Sequence, residues 1–184
     1  PPDQLQPTTT AESSWLIEYD TMFHVVLHAP EIPNNTGNIG RTVAVTGGVL
    51  HLIHPLGFEI DEKAVRRAGL DYWERLDVRE YPDFETYLHK ANPQRLFLFT
   101  AKAGGTPWQT EMQTGDHLLF GGESQGVPDS VLETVKTRFG PDALLKLPML
   151  DGPRRPSLNL GSTVCAALYE GVRQNFDQFG MTLE

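Results

Sequence analysis

The sequence is short of several things, and each shortage excludes something. One cysteine, Cys165, in 184 residues rules out a disulfide within the chain and leads us to expect a reducing, cytoplasmic setting. No apolar run approaches the roughly 18 residues of a membrane-spanning helix, so the apolar residues read as the core of a soluble domain. Positive charge is scarce. A net charge of −9 argues against a surface coated in Lys and Arg, while leaving room for a local basic patch on which RNA could sit. Residues 1–21 contain no Lys or Arg at all, and they carry Asp3, Glu12, Glu18 and Asp20. Such a stretch is neither an Arg-rich transit peptide nor a secretory signal with an apolar centre. It is expected to be an N-terminal extension on the surface, with Trp15-Leu16-Ile17 packing it down and a single domain over residues 22–184.

Histidine is missing from the last third of the chain, and that absence disposes of an attractive motif. Residues 117–128, His117-Leu-Leu-Phe-Gly-Gly-Glu-Ser-Gln-Gly-Val-Pro128, read as a strand, a tight glycine corner and a helix entered through proline. Within them Gly122-Glu123-Ser124-Gln125-Gly126 fits the nucleophile elbow G-x-S-x-G. The hydrolases that use this elbow place an acid and then a histidine after the serine. His24, His28, His51, His54, His89 and His117 all precede Ser124, so the order cannot be met. The corner remains important because open α/β sheets bind ligands where strands end and helices begin.

In chain order, Phe23–His28 is an apolar strand followed by a loop of turn residues from Ala29 to Asn38. A helix is expected from Ile39 to Thr46, and Val49–Ile53 is the next buried strand, which makes a βαβ unit. Gly37-Asn-Ile-Gly40 lacks the G-x-G-x-x-G spacing of a dinucleotide fold. His51 and His54, three apart on a strand, point to different faces with no Cys or further His nearby, so no metal is expected. Asp61 is positioned to cap a helix that gathers Lys63, Arg66 and Arg67 on one face. Further strands are expected at Leu76–Tyr81, Arg95–Thr100 and Leu144–Pro148, with helices at Phe84–Lys90 and Asp129–Arg138. A closing helix runs to about Phe176 and contains Cys165 as a small apolar filler. Its stripe Leu160, Val164, Leu168, Val172 faces either a core or a partner, and spacing does not separate the two. The residues alone thus support a parallel α/β sheet flanked by helices.

Three stretches together go further: Pro30-Glu-Ile-Pro-Asn-Asn-Thr-Gly-Asn-Ile-Gly-Arg41, Leu119–Pro128, and Leu147-Pro-Met149 with Ser157-Leu-Asn-Leu-Gly-Ser162. In this order they resemble the three motifs of the SPOUT-class RNA 2′-O-methyltransferases. The nearest subgroup is the small enzymes of the tRNA wobble ribose, cytidine or uridine 34, which His54–Phe58 and Arg66–Tyr72 also match. The resemblance covers Met22 to about Gln174. It implies a C-terminal trefoil knot, S-adenosyl-L-methionine as cofactor, the tRNA anticodon stem-loop as partner, and an obligate homodimer with sites at the interface. Ordinary topology rules would have argued against a threaded chain.

Carried over by position, the resemblance assigns the cofactor pocket to Phe99, Gly121, Glu123, Leu147 and Ser157, with Glu123 facing the cofactor's positive end or the RNA. Catalysis falls to Arg41 and Asn35, with Ser157 and Asn159 positioning the ribose, and Tyr169 lies near the dimer interface. Arginine is a poor base because it stays protonated, so Arg41 is expected to hold the target phosphate and steady a developing alkoxide. Lys63, Arg66, Arg67, Arg154 and Arg155 are the expected phosphate contacts. One departure stands out. The family has arginine directly before Ser-Leu-Asn, whereas Pro156 occupies that place here in a longer loop. Two alternatives stay open: the same chemistry on another tRNA position or on rRNA, and a dimeric RNA-binding module without catalysis.

Overall fold

The computed structural model describes residues 22–58, 73, 76–150 and 157–178. Six parallel strands form one sheet: β1 (Phe23–His28), β2 (Val49–Ile53), β3 (Asp77–Tyr81), β4 (Leu96–Phe99), β5 (Asp116–Gly121) and β6 (Leu144–Leu145). Their spatial order is β3-β2-β1-β5-β4-β6. From β1 the chain first builds outward through β2 to β3, and it then crosses to the other side for β4, β5 and β6. The order therefore reverses between β1 and β5, which is where such sheets open a crevice at their carboxyl ends. Those ends carry Ala29 after β1 and Gly122 after β5, and His28 pairs in register with Gly121.

The strands alternate between two buried faces, so β1, β2 and β5 read as nearly continuous apolar runs. On one face Phe23, Val25, Leu27, Leu50, Leu118 and Phe120 pack against α1 (Pro33–Val45) and α4 (Leu160–Gln174). On the other, Val26, Ile53, Leu98 and Leu119 meet α2 (Phe84–Ala91) and α3 (Asp129–Phe139). The stripe that spacing left ambiguous is core. Val164 and Leu168 are fully buried and Val172 nearly so. Gly171 lets α4 approach β1, since a Cβ there would lie 2.5 Å from the Phe23 ring.

Two element boundaries differ from expectation. α1 begins at Pro33, not at Ile39, so the turn-rich Pro33–Asn38 is its first part. Proline costs nothing at this position because its missing N–H would have no helical partner. No local side chain caps the helix, and the capping group comes from elsewhere in the chain. β6 spans only Leu144–Leu145: Lys146 turns to donate its N–H to the Gly105 carbonyl, and Pro148 has no N–H for a ladder. Residues 1–21, the helix expected after Asp61, and Arg154 to Pro156 lie outside the described residues.

Candidate active site at the switch point

The carboxyl ends of β1, β4 and β5 converge with the N-termini of α1 and α4 on a cleft of about 560 Å³. Such a volume accommodates a nucleoside-sized ligand. Phe99 and Phe120, on neighbouring strands, stack at 4.8 Å between centroids and form its apolar floor. Gly121 and Gly122 make the adjoining corner. A Cβ on Gly121 would lie 2.2 Å from the Gly126 carbonyl carbon, and one on Gly122 would lie 2.5 Å from the Ala29 carbonyl oxygen. The sharp return of the chain at Gly126 is possible only for glycine pairs packed this closely.

Two carboxylates fasten the loop after β1 to the corner after β5, each reaching into the other's segment. Glu123 accepts from the Glu31 N–H (2.8 Å), the Ile32 N–H (3.3 Å) and Asn35 Nδ2 (2.8 Å). Glu31 in turn accepts from the Ser124 N–H (3.1 Å) and hydroxyl (2.7 Å). Those two bonds from Ser124 hold the Glu31 carboxyl below its ordinary pKa. Glu123 thus supplies the negative charge at the positive end of α1 that the local sequence does not.

The same network continues into the third stretch. Asn159 Nδ2 donates to Asn35 Oδ1 at 3.0 Å, and Asn159 Oδ1 accepts from the Ser162 N–H at 3.3 Å, which caps α4. Asn35, 7% exposed, is the middle member, bound to Glu123 on one side and Asn159 on the other. A hydrogen-bonded chain of one carboxylate and two amides therefore ties three segments that are 88 and 124 residues apart in sequence. Such a chain fixes both amide orientations, because each oxygen and each NH₂ has an assigned partner.

Of the residues expected to form the site, Asn35, Phe99, Gly121, Glu123, Ser157 and Asn159 line the cleft. Leu147 packs into the core, 8% exposed, and is not among the lining residues. Arg41 is solvent-exposed on α1 and is likewise outside the lining of this chain's own cleft. Tyr169 is 48% exposed on α4. Lys63, Arg66, Arg67, Arg154 and Arg155 lie outside the described residues. Sequence reasoning missed Lys102, which lines the cleft while paired with Asp129 at 2.7 Å, and it missed Glu31 as the second half of the clasp. Glu31 sits inside a quoted motif, yet nothing local marks it as the partner of a serine 93 residues away.

One expectation needs correction. His51 and His54 do point apart, with His54 bonded to Glu80 at 2.9 Å, but further histidines do stand near His51. His24 and His117 meet it across β1 and β5, so three imidazoles bring ligand atoms within 4.8 Å of one another. The sheet register made them neighbours: His24 pairs with His117, and β2 lies on the other side of β1.

Known proteins share this chain's sequence and fold. A tRNA (cytidine(34)-2′-O)-methyltransferase of Aeromonas hydrophila is 45% identical over 153 residues, covering 83% of this chain and 94% of that protein. A solved structure concerned with the 2-OH methylation of C/U34 on tRNA is 43% identical, with a TM-score of 0.74 and coverage of 86% of this chain and 99% of that one. The SpoU methyltransferase AviRb from Streptomyces viridochromogenes, solved in complex with AdoMet, shares the fold at 22% identity and a TM-score of 0.71 over 86% of this chain and 59% of that one. Residues 22–169, which include every member of the clasp and of the amide chain, match the model of the SpoU rRNA methylase family, and to that family the chain belongs.

Proposed function

We propose that this chain moves a methyl group from S-adenosylmethionine to the ribose 2′-hydroxyl of a tRNA wobble nucleotide, cytidine or uridine 34. The observation that carries the reading is the junction of Glu123, Asn35 and Asn159 at the mouth of the switch-point cleft. The family's description speaks of rRNA, but the Aeromonas relative, matched over nearly its whole length, favours tRNA and position 34.

The residues present fit the cofactor. Phe99 over Phe120 offers an apolar wall for adenine, and the corner at Gly121 leaves backbone polar groups uncovered by side chains. When bound, the cofactor supplies an electrophilic methyl on a positively charged sulfur. Ser157 and Asn159, exposed at the cleft's rim, hold the ribose. Arg41 binds the neighbouring phosphate and stabilises negative charge as the 2′-oxygen loses its proton to a phosphate oxygen or water.

Because Arg41 lies outside its own cleft, the working unit is a homodimer in which a second copy completes the site. Exposed apolar side chains, Ile32 and Leu158 at the helix N-termini beside the cleft and Tyr169 further along α4, support that pairing. Lys63, Arg66, Arg67, Arg154 and Arg155 bind phosphates of the anticodon stem-loop. The C-terminal segment forms a trefoil knot, consistent with Gln174 bonding the Pro107 and Thr110 carbonyls and the Met112 N–H. Among the described residues no helix is long and apolar enough to cross a membrane, and the lone Cys165 suits the reducing cytoplasm.

Incubation with labelled S-adenosylmethionine and bulk tRNA, followed by nucleoside mapping, tests the proposal. Label in a 2′-O-methylated pyrimidine at position 34 is the expected result. Label at another tRNA position would refute the target, and label in rRNA alone would restore the family's wider description. Cofactor binding with no transfer to any RNA would favour a binding module.

A further inference from the structure

Five aromatic side chains on the α2 side of the sheet form a cluster, joined by hydrogen bonds and ring contacts, that the proposed reaction does not use. His24 Nδ1 lies 2.8 Å from His51 Nε2, His51 Nδ1 lies 3.0 Å from the Tyr81 hydroxyl, and His117 Nδ1 lies 2.6 Å from the Tyr87 hydroxyl. His51, His117, Tyr81 and Tyr87 are buried, and His24 is half-buried at the open side. His24 and His117 sit near the amino ends of β1 and β5, and His51 stands at the middle of β2. His24 and Ala29 are five residues apart on a strand that rises about 3.3 Å per residue, so His24 lies roughly 16 Å along β1 from the loop that borders the methyl-transfer cleft.

We propose that His24, His51 and His117 form a binding site for a divalent transition-metal ion of the zinc class, with the fourth position open to solvent beside His24. The donor set fits. Three imidazole nitrogens lie within 4.8 Å of one another, and imidazole suits zinc, copper, nickel and cobalt. Three histidines with an open fourth position are a familiar tetrahedral arrangement for zinc.

The second ring nitrogens strengthen the assignment. A ligating histidine donates its remaining N–H to an oxygen, which fixes the tautomer that presents the metal-binding lone pair. Tyr81 stands at that position for His51 and Tyr87 for His117, and both hydroxyls can accept. His24 then binds through Nδ1, the atom already facing His51 Nε2, and it is the one ring of the three that is only half-buried.

Binding requires one rearrangement. The His24 and His117 rings stack at 4.1 Å with only 6° between their planes. A metal ion lies in the plane of each imidazole that ligates it, so two stacked parallel rings cannot share one ion. His24, the least buried of the three, turns out of the stack. Its hydrogen bond to His51 gives way to two bonds to the ion, and three neighbouring strands become linked through one atom.

The test uses the untagged full-length chain, stripped with chelator and titrated with cobalt(II) and then zinc(II). The expected result is one cobalt per chain with the intense visible absorption of a four-coordinate ion, displaced by zinc, and a thermal midpoint that climbs with zinc concentration. His24→Ala, a change at the half-buried edge, should keep the fold and methyl transfer while losing the cobalt band. Tyr81→Phe keeps all three ligands and removes one outer partner, so affinity should fall about 10- to 100-fold. His54→Ala, on the opposite face, should leave binding unchanged. No saturable cobalt band, a band that survives in His24→Ala, or one that disappears in His54→Ala would overturn the proposal. None of these outcomes bears on the methyl-transfer assay.

Discussion

Replacing Glu123 by glutamine separates two roles for this carboxylate. The motif resemblance points it at the cofactor's positive sulfur, whereas its three hydrogen bonds make it the cap of α1 and the anchor of Asn35. Glutamine has the same shape but one oxygen. Its amide nitrogen would face either the Glu31 N–H or the pair formed by the Ile32 N–H and Asn35 Nδ2, leaving a donor opposed to a donor. Hydrogen bonds to charged groups contribute about 1.5–3 kcal/mol each, and the half-buried position places the expected loss near 2 kcal/mol. In a domain of this size that lowers the melting midpoint by roughly 4–8 °C. Released from Glu123, Asn35 no longer orients Asn159, and displacement of positioning groups by about 1 Å costs on the order of 100-fold in rate. Thermal unfolding, calorimetric titration with S-adenosylmethionine and single-turnover methyl transfer would be measured on the same preparation. The clasp predicts lower stability and rate with cofactor affinity nearly intact. An unchanged midpoint with cofactor affinity lost would refute it and return Glu123 to the sulfonium.

Other consequences are equally specific. Burial holds His51 down to about 3 and His117 down to about 2, with the repulsion that charging a neighbouring histidine would bring and the nearby Arg79 cation acting in the same direction, so the fold keeps both neutral. The unfolded chain protonates them near pH 6.5, and stability contributed above that value is lost as pH falls below it. At pH 5.5, in chelator, the two cost about 3 kcal/mol relative to pH 7.5, with half-buried His24 adding less. Urea titrations giving equal unfolding free energies at both values would contradict this. Gly122→Ala puts a Cβ 2.5 Å from the Ala29 carbonyl oxygen and 2.9 Å from Glu31 Oε1, which should cost about 1–3 kcal/mol and weaken cofactor binding. Wild-type melting and calorimetry for that variant would show the corner to be looser than described. Charge reversal at Lys63, Arg66 and Arg67 together should weaken tRNA binding and flatten its salt dependence, and filter binding at several salt concentrations checks this. Arg41→Ala should lower methyl transfer at least 100-fold while S-adenosylmethionine still binds.

The sequence by itself determined much of the frame. Val49–Ile53 was legible as a strand because five apolar residues between turn signals have no other economical use, and it is buried throughout. The corner at Gly121–Gly126 was legible because paired glycines ending an apolar run mark a close backbone approach, and the Cβ distances there bear this out. The motif residues Asn35, Phe99, Glu123, Ser157 and Asn159 are legible in the sequence and meet at one cleft, whereas Leu147 packs into the core and Arg41 lies outside the lining. Local signals failed where the partner was distant. α1 starts earlier than turn propensity suggests because its cap is Glu123, which lies 91 residues from the Ile32 N–H that it accepts. Likewise, the reciprocal Glu31–Ser124 bond and the amide link from Asn159 to Asn35 depend on β1 and β5 lying side by side. The histidine group is the clearest case. His24, His51 and His117 carry no shared spacing, and only parallel pairing of three strands in one register sets them on one face. A sequence specifies what each residue wants locally, such as burial, a turn or a cap. Which distant residue satisfies that want is decided by strand order and register, which are properties of the assembled sheet.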